Sequence, residues 1–286
     1  VNRQEGVEQP TSKVDPVPFR GAGALQRRAR KILRPPSKLL WRFTLEGFDR
    51  LPETGPAILC PNHVSFLDSA FLMMHVPRNI SFVGKAEYLD SWKTKYLFPA
   101  MGMIPIDRSG GDKSAAALEA AEAVLRRGEL FGIFPEGTRS RDGMLYKGRT
   151  GAARLAVKLG CPIFPVGIVG TREIQPPDAV VPKVHFPRFD MHCRITIGKP
   201  IDVARYAERS TDHLVLREIT DELMFEIRDL TGQEYRNTYA PKTEIEVATG
   251  DKALGDKALG DKALGDKALG NQSPTNITKR DSLDIA

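Results

Sequence analysis

Between residues 41 and 230, short apolar runs alternate with stretches of helical period, and this alternation restricts the chain to an α/β architecture. The predicted strands are Trp41–Phe48, Ala57–Cys60, Ile80–Gly84, Met103–Ile106, Leu130–Phe134, Ile163–Ile168 and Met191–Ile197. Helical patterns occupy Phe66–His75, Ser91–Phe98, Lys113–Arg127, Gly151–Leu159 and Asp212–Leu230. Strands this short and apolar are buried on both faces, so the expectation is a single-domain mixed sheet flanked by helices. In such sheets, loops leaving the carboxyl ends of strands build the sites.

The ends of the chain have a different character. Residues 1–20 are polar and contain prolines, which predicts a disordered N-terminus. Residues 236–286 form a low-complexity tail, in which Asp-Lys-Ala-Leu-Gly occurs four times between Asp251 and Gly270. A glycine every fifth residue matches neither helix nor strand, so the tail reads as a linker without chemistry. The folded domain is expected over 46–235.

Residues 21–45 are basic and amphipathic. The stretch 16–45 holds Arg20, Arg27, Arg28, Arg30, Lys31, Arg34, Lys38 and Arg42 and no acid, so the rest of a chain of net charge +6 is slightly acidic. One concentrated patch on a near-neutral body disfavours nucleic acid as a partner. Leu25, Ile32, Leu33, Leu39, Leu40, Trp41 and Phe43 are interspersed with these cations. Two short helices meeting at Pro35-Pro36 would suit an anionic membrane surface, where each cation contributes about 1 kcal/mol. No apolar run is long enough to span a bilayer and no secretory signal is visible, so the expectation is a peripheral or monotopic protein on the cytoplasmic face. Cys60, Cys161 and Cys193 are widely separated in apolar surroundings and read as small buried hydrophobes.

The chemistry starts at Asn62-His63-Val64-Ser65-Phe66-Leu67-Asp68. Positions five apart on one regular helix point about 140° away from each other, so a single helix does not pair His63 with Asp68. A capping box with Ser65 as N-cap and Asp68 at N3 places His63 in the preceding loop. From there the imidazole folds back onto the first turn, where Asp68 accepts from one ring nitrogen and the other is free to take a proton. His75 is expected to cap its helix, and His185, His192 and His213 lack neighbouring ligands, so no metal site is expected.

Three more blocks follow. Gly102-Met103-Ile104-Pro105-Ile106-Asp107-Arg108 is a strand ending in an arginine suited to a phosphate. Phe134-Pro135-Glu136-Gly137-Thr138-Arg139-Ser140 runs from a strand into a tight turn with donors for an anion. Pro162-Ile163-Phe164-Pro165-Val166 is a buried strand bracketed by prolines. Together and in this order, over about residues 40–230, the four blocks resemble the glycerolipid acyltransferase superfamily, specifically the 1-acyl-glycerol-3-phosphate acyltransferases.

The resemblance implies a glycerol-3-phosphate acyltransferase-like fold and a catalytic domain that moves an acyl group from acyl-CoA or acyl carrier protein to a lysophospholipid. His63 would be general base and Asp68 its orienting acid. Arg108, Glu136, Gly137, Thr138 and Arg139 would surround the phosphorylated acceptor, with Lys147 a further candidate. Glu136, an anion, would orient Arg139, a backbone donor or the acceptor's hydroxyls. No cofactor is implied, because a thioester is already activated. Glycerol 3-phosphate or another lysophospholipid is the alternative acceptor. A lipid serine hydrolase is disfavoured by the lack of a Gly-x-Ser-x-Gly elbow.

Overall fold

The computed structural model describes residues 23–85, 102–106, 113–179, 181–184, 191–209 and 212–241. Strands β1 (Arg42–Glu46), β2 (Ala57–Pro61), β3 (Ile80–Lys85), β4 (Met103–Ile106), β5 (Leu130–Gly132), β7 (Ile163–Val169) and β8 (His192–Ile197) form one sheet. Its order is β1-β8-β7-β2-β5-β3-β4, with every pair parallel except β7 with β8. A second, two-stranded ladder joins β6 (Leu145–Tyr146) to β9 (Tyr235–Arg236). The mixed sheet agrees with expectation, and the boundaries shift by a few residues; Phe48–Arg50 is a 3-10 turn rather than strand. The expected helix Ser91–Phe98, the first twenty residues, and the repeat tail lie outside the described residues.

Helices cover both faces. Along β2, Ile58 and Cys60 enter one core with α3 (Lys113–Arg126), α4 (Gly151–Leu159) and α6 (His213–Thr231), the short α5 being Thr171–Ile174 after β7. Ala57 and Leu59 point to the other core, under α1 (Gly23–Leu40) and α2 (Leu67–His75). The alternation has period two, as a pleated strand requires. From β2 the chain leaves through α2 on one face, and from β5 it returns through α4 on the other. The carboxyl ends of β2, β5 and β7 therefore flank a point where the winding changes direction, the position at which such sheets hold ligands.

The N-terminal segment corrects one expectation. Pro35 and Pro36 lie within a single helix α1 rather than between two. Each removes one helical N–H donor, which leaves the carbonyls of Lys31 and Ile32 without their usual partner, at two residues exposed to solvent. Tertiary contacts hold the helix on the domain. Gln26 Nε2 donates to Ile80 O over 2.8 Å and its Oε1 accepts from Ile80 N over 3.1 Å. The Arg30 guanidinium donates to the carbonyls of Met73, Pro77 and Arg78.

Trp41, expected at the membrane surface, is buried against Phe71, and Leu33, Leu40 and Phe43 pack on the same core. The outward face of α1 carries Leu25, Ile32 and Leu39, each more than half exposed. Spaced by seven residues, they line up along the helix among Arg27, Arg28, Lys31 and Lys38.

His75 does not cap α2 either. Among the described residues neither of its buried ring nitrogens has a hydrogen-bond partner, and its ring centroid lies 4.3 Å from that of Phe43. Arg30, reaching across from α1, satisfies a last-turn carbonyl of α2 instead.

Candidate active site

Beyond β2, Asn62 is fixed to β7 by two bonds to one residue. Its Nδ2 donates to Ile168 O over 2.9 Å and its Oδ1 accepts from Ile168 N over 2.8 Å. This side chain continues the ladder after the strand itself ends, which sets the position of His63. The His63 amide donates to Glu136 Oε1 over 3.0 Å, and its carbonyl accepts from Ser140 N over 2.7 Å. The backbone of His63 is thus held from both sides by the loop after β5.

The ring is fixed independently. His63 Nδ1 and Asp68 Oδ2 are 2.9 Å apart. The imidazole stacks on Phe134, centroids 3.7 Å apart and planes inclined by 16°, and Phe134 leans in turn on Phe82. His63 is 17% exposed, and among the described residues no group bonds its Nε2.

Asp68 is fully buried and surrounded by donors. Oδ2 accepts from Val64 N and Ser65 N, each over 2.8 Å, as well as facing His63; Oδ1 accepts from Thr171 Oγ1 over 2.6 Å. Opposite a carboxylate, the neutral imidazole tautomer that satisfies this contact donates from Nδ1 and leaves Nε2 as the acceptor. Only half of the expected capping box forms, and Ser65 is not the N-cap. Asp68 bonds Ser65 N as expected, but Ser65 Oγ accepts from Leu67 N and donates to Gln175 O. Asp68 N turns to Ser65 O, and the helix begins at Leu67 with Phe66 as N-cap.

Around the second block, Glu136 is fully buried, with Oε1 on His63 N and Oε2 on Tyr146 N, the latter 3.0 Å away. Burial pushes its carboxyl up to about 7 against the pull of those two amides, with Asp68 and Asp142 adding to the rise. Of the three roles open from sequence, orienting backbone donors is the one its geometry displays, since each oxygen accepts from a main-chain amide.

Gly137 adopts φ +79°, and a Cβ there would lie 2.8 Å from Arg149 Nε. Glycine at this position lets an arginine lie across the turn. Thr138 and Arg139 are half-buried, and Arg139 Nη1 makes one long contact to Pro177 O at 3.4 Å. The Lys147 ammonium lies 5.9 Å from the Tyr239 ring, whose centroid is 5.2 Å from the Arg149 guanidinium. Arg108 lies outside the described residues. His63, Asp68, Glu136, Gly137, Thr138 and Arg139 therefore meet at the ends of β2 and β5, whereas Lys147 points toward the C-terminal strand.

Sequence reasoning overlooked four side chains here. Phe134 supports the imidazole, Thr171 bonds Asp68, Arg149 covers Gly137, and Gln233 accepts from Asn62 Nδ2 over 2.9 Å. Thr171 follows β7 at a carboxyl end, which was a usable signal; Gln233 carries none. Among the described residues no group of three or more His, Cys, Asp or Glu side chains is arranged to hold a metal ion. Among the described residues, the arrangement offers an oriented imidazole with an unbonded ring nitrogen beside a turn whose Arg139 and Arg149 have no carboxylate partner.

Comparison with known proteins gives concordant results. The family described as Acyltransferase matches residues 42–169. The chain is 30% identical over 137 residues to the chloroplastic 1-acyl-sn-glycerol-3-phosphate acyltransferase LPAT1 of Arabidopsis thaliana, covering 48% of this chain and 38% of that protein. It is also 30% identical over 150 residues to 1-acyl-sn-glycerol-3-phosphate acyltransferase alpha of Mus musculus, covering 51% and 53%. The chain thus spans about half or less of the length of these relatives. The crystal structure of the 1-acyl-sn-glycerophosphate acyltransferase PlsC from Thermotoga maritima has the same fold, with TM-score 0.54 and 24% identity over 72% of this chain and 81% of that one.

Proposed function

We propose that this chain, whose residues 42–169 match the family described as Acyltransferase, is a 1-acylglycerol-3-phosphate O-acyltransferase that converts lysophosphatidic acid into phosphatidic acid. The observation that carries the reading is the His63–Asp68 pair, 2.9 Å apart, with Nε2 left unbonded among the described residues. The acceptor's free hydroxyl attacks the carbonyl carbon of an acyl thioester, from acyl-CoA or acyl carrier protein, as His63 Nε2 takes its proton. The tetrahedral adduct then expels the thiolate, which recovers that proton from the imidazolium. One C–O bond forms, one C–S bond breaks, and the enzyme forms no covalent intermediate. General-base help of this kind contributes about 10² to 10⁴ in rate.

Phosphate is the natural load for the cations near the base: Arg139 and Arg149 flank the Gly137 turn, and Arg108 is the candidate read from the sequence of the preceding block. Guanidinium donors suit phosphate oxygens in both charge and geometry. Substrate and product are both lipids, so the enzyme works at a membrane. The exposed line of Leu25, Ile32 and Leu39 among cations supports peripheral attachment through α1 to an anionic surface. Among the described residues no helix is long and apolar enough to cross a membrane.

The test is acyl transfer from oleoyl-CoA to lysophosphatidic acid, glycerol 3-phosphate and lysophosphatidylcholine, with His63→Ala as control. Phosphatidic acid formation that disappears in a folded His63→Ala variant is the expected result. Thiol release independent of any acceptor would instead identify a hydrolase, and full transfer by the variant would remove His63 from the mechanism.

A further inference from the structure

Gln233 lies beyond the residues that match the acyltransferase family, yet it joins both halves of the site. Its Oε1 accepts from Asn62 Nδ2 over 2.9 Å, and its Nε2 donates to Gly143 O over 2.7 Å. Gly143 N in turn donates to Ser140 Oγ over 3.1 Å, and Ser140 N donates to the carbonyl of His63 over 2.7 Å. Asn62 precedes His63 in the chain, so these bonds close a ring that passes through the candidate base and the loop carrying Arg139. Gln233 is the member that closes it.

The segment around Gln233 reinforces the same loop. Leu145 N donates to Glu234 O over 2.8 Å, Lys147 N donates to Thr238 O over 3.0 Å, and β9 pairs with β6 between them. Further along, Tyr239 lies near Lys147 and Arg149. The left-handed Gly232, φ +71°, ends α6 and turns the chain toward β6. Residues 233–240 thus run as a strap along the loop that follows the Glu136 turn.

We infer that Gln233 is a positioning residue, which holds the Arg139-bearing loop in register with His63 so that the acceptor's phosphate and hydroxyl meet their partners together. The inference rests on the acyltransferase reading above. Glutamine suits the task because its side-chain oxygen accepts from Asn62 while the nitrogen of the same planar amide donates to the Gly143 carbonyl. Misplacing reacting groups by about 1 Å costs on the order of 10²-fold in rate, so loss of the strap's closure has a catalytic consequence.

The experiment compares full-length Gln233→Ala and Gln233→Glu with the wild type, and with Tyr206→Phe, which loses a 2.9 Å bond to Glu218 elsewhere in the fold. Two readouts are taken: kcat and KM for lysophosphatidic acid, and hydrogen–deuterium exchange at the Ser140 and Gly143 amides. Gln233→Ala should lower kcat at least tenfold and speed exchange at both amides at least tenfold. Gln233→Glu, which still accepts from Asn62 but cannot donate to Gly143, should show the same loop exchange. Tyr206→Phe should change neither. Unchanged exchange, or faster exchange with kcat and KM within twofold of the wild type, overturns the inference. A wild type without acyl transfer whose loop still loosens in Gln233→Ala upholds the closure and removes the acyl-transfer reading instead.

Discussion

The hydroxyl of Thr171 donates to Asp68 Oδ1 over 2.6 Å, with both side chains fully buried. Oδ2 has three donors facing it, whereas among the described residues Thr171 is the one partner of Oδ1, so this bond sets the rotation of the carboxylate about its own axis. Thr171→Val retains the shape and deletes the donor, leaving a buried oxygen unsatisfied at a cost of about 1–3 kcal/mol. The expected outcome is a fall in kcat of about tenfold, equivalent to ~1.4 kcal/mol, with KM for the acceptor unchanged and Thr171→Ser restoring the rate. Steady-state kinetics on the three proteins decides the point, and a Val variant with wild-type kcat would show that Oδ2 suffices.

What sequence could supply followed from local chemistry. The strands announced themselves because buried parallel strands are short and apolar, and His63 with Asp68 because an aspartate in the first turn of a helix accepts from the amides just before it, which brings the preceding histidine within reach. Thr171, Arg149 and Gln233 stayed hidden because their partners lie 103, 12 and 171 residues away in the chain, at Asp68, Gly137 and Asn62. No periodicity encodes a pairing that only the sheet order creates. The helix through Pro35-Pro36 was misjudged for a similar reason: the local cost was visible, whereas the compensating bonds from Gln26 and Arg30 are tertiary.

Glu136 should give the protein a distinctive pH dependence. Burial raises its carboxyl to about 7 in the folded state, whereas the unfolded chain releases that proton near 4.5. Between those values the folded state binds more protons, so this group's contribution to stability is full below the lower value and is lost as pH rises through the upper one. The span corresponds to about 3 kcal/mol as an order of magnitude. Glu136→Gln removes the titration, so the stability of wild type relative to the variant should decline from pH 4.5 to pH 7.5. Denaturant melts across that range check it; a constant difference would mean that Glu136 is ionised throughout.

Arg149 is expected to act on binding rather than on chemistry. Its guanidinium crosses the Gly137 turn and reaches Tyr239, where among the described residues it has no carboxylate partner. Arg149→Ala should raise KM for lysophosphatidic acid about tenfold and leave kcat within a factor of two. Gly137→Ala should have a larger effect, because it places a Cβ 2.8 Å from Arg149 Nε at a backbone φ of +79° that alanine resists. Equal KM values for wild type and Arg149→Ala would exclude this arginine from the acceptor's pocket.

His75 makes the contact between α1 and α2 sensitive to acid. Burial, with Arg34 and Lys38 nearby, pushes its imidazole down to about 4, so it is neutral in the folded protein. The unfolded chain takes up a proton below about 6.5, and the stability associated with this position is therefore complete above that pH and is lost as pH falls toward 4. Because neither ring nitrogen has a partner, His75→Phe removes no hydrogen bond and leaves a ring to pack on Phe43. The variant should melt higher than wild type at pH 5, by a margin that shrinks at pH 8. If the margin is the same at both values, protonation of His75 does not govern the contact, and the cations of α1 rest on a surface indifferent to pH.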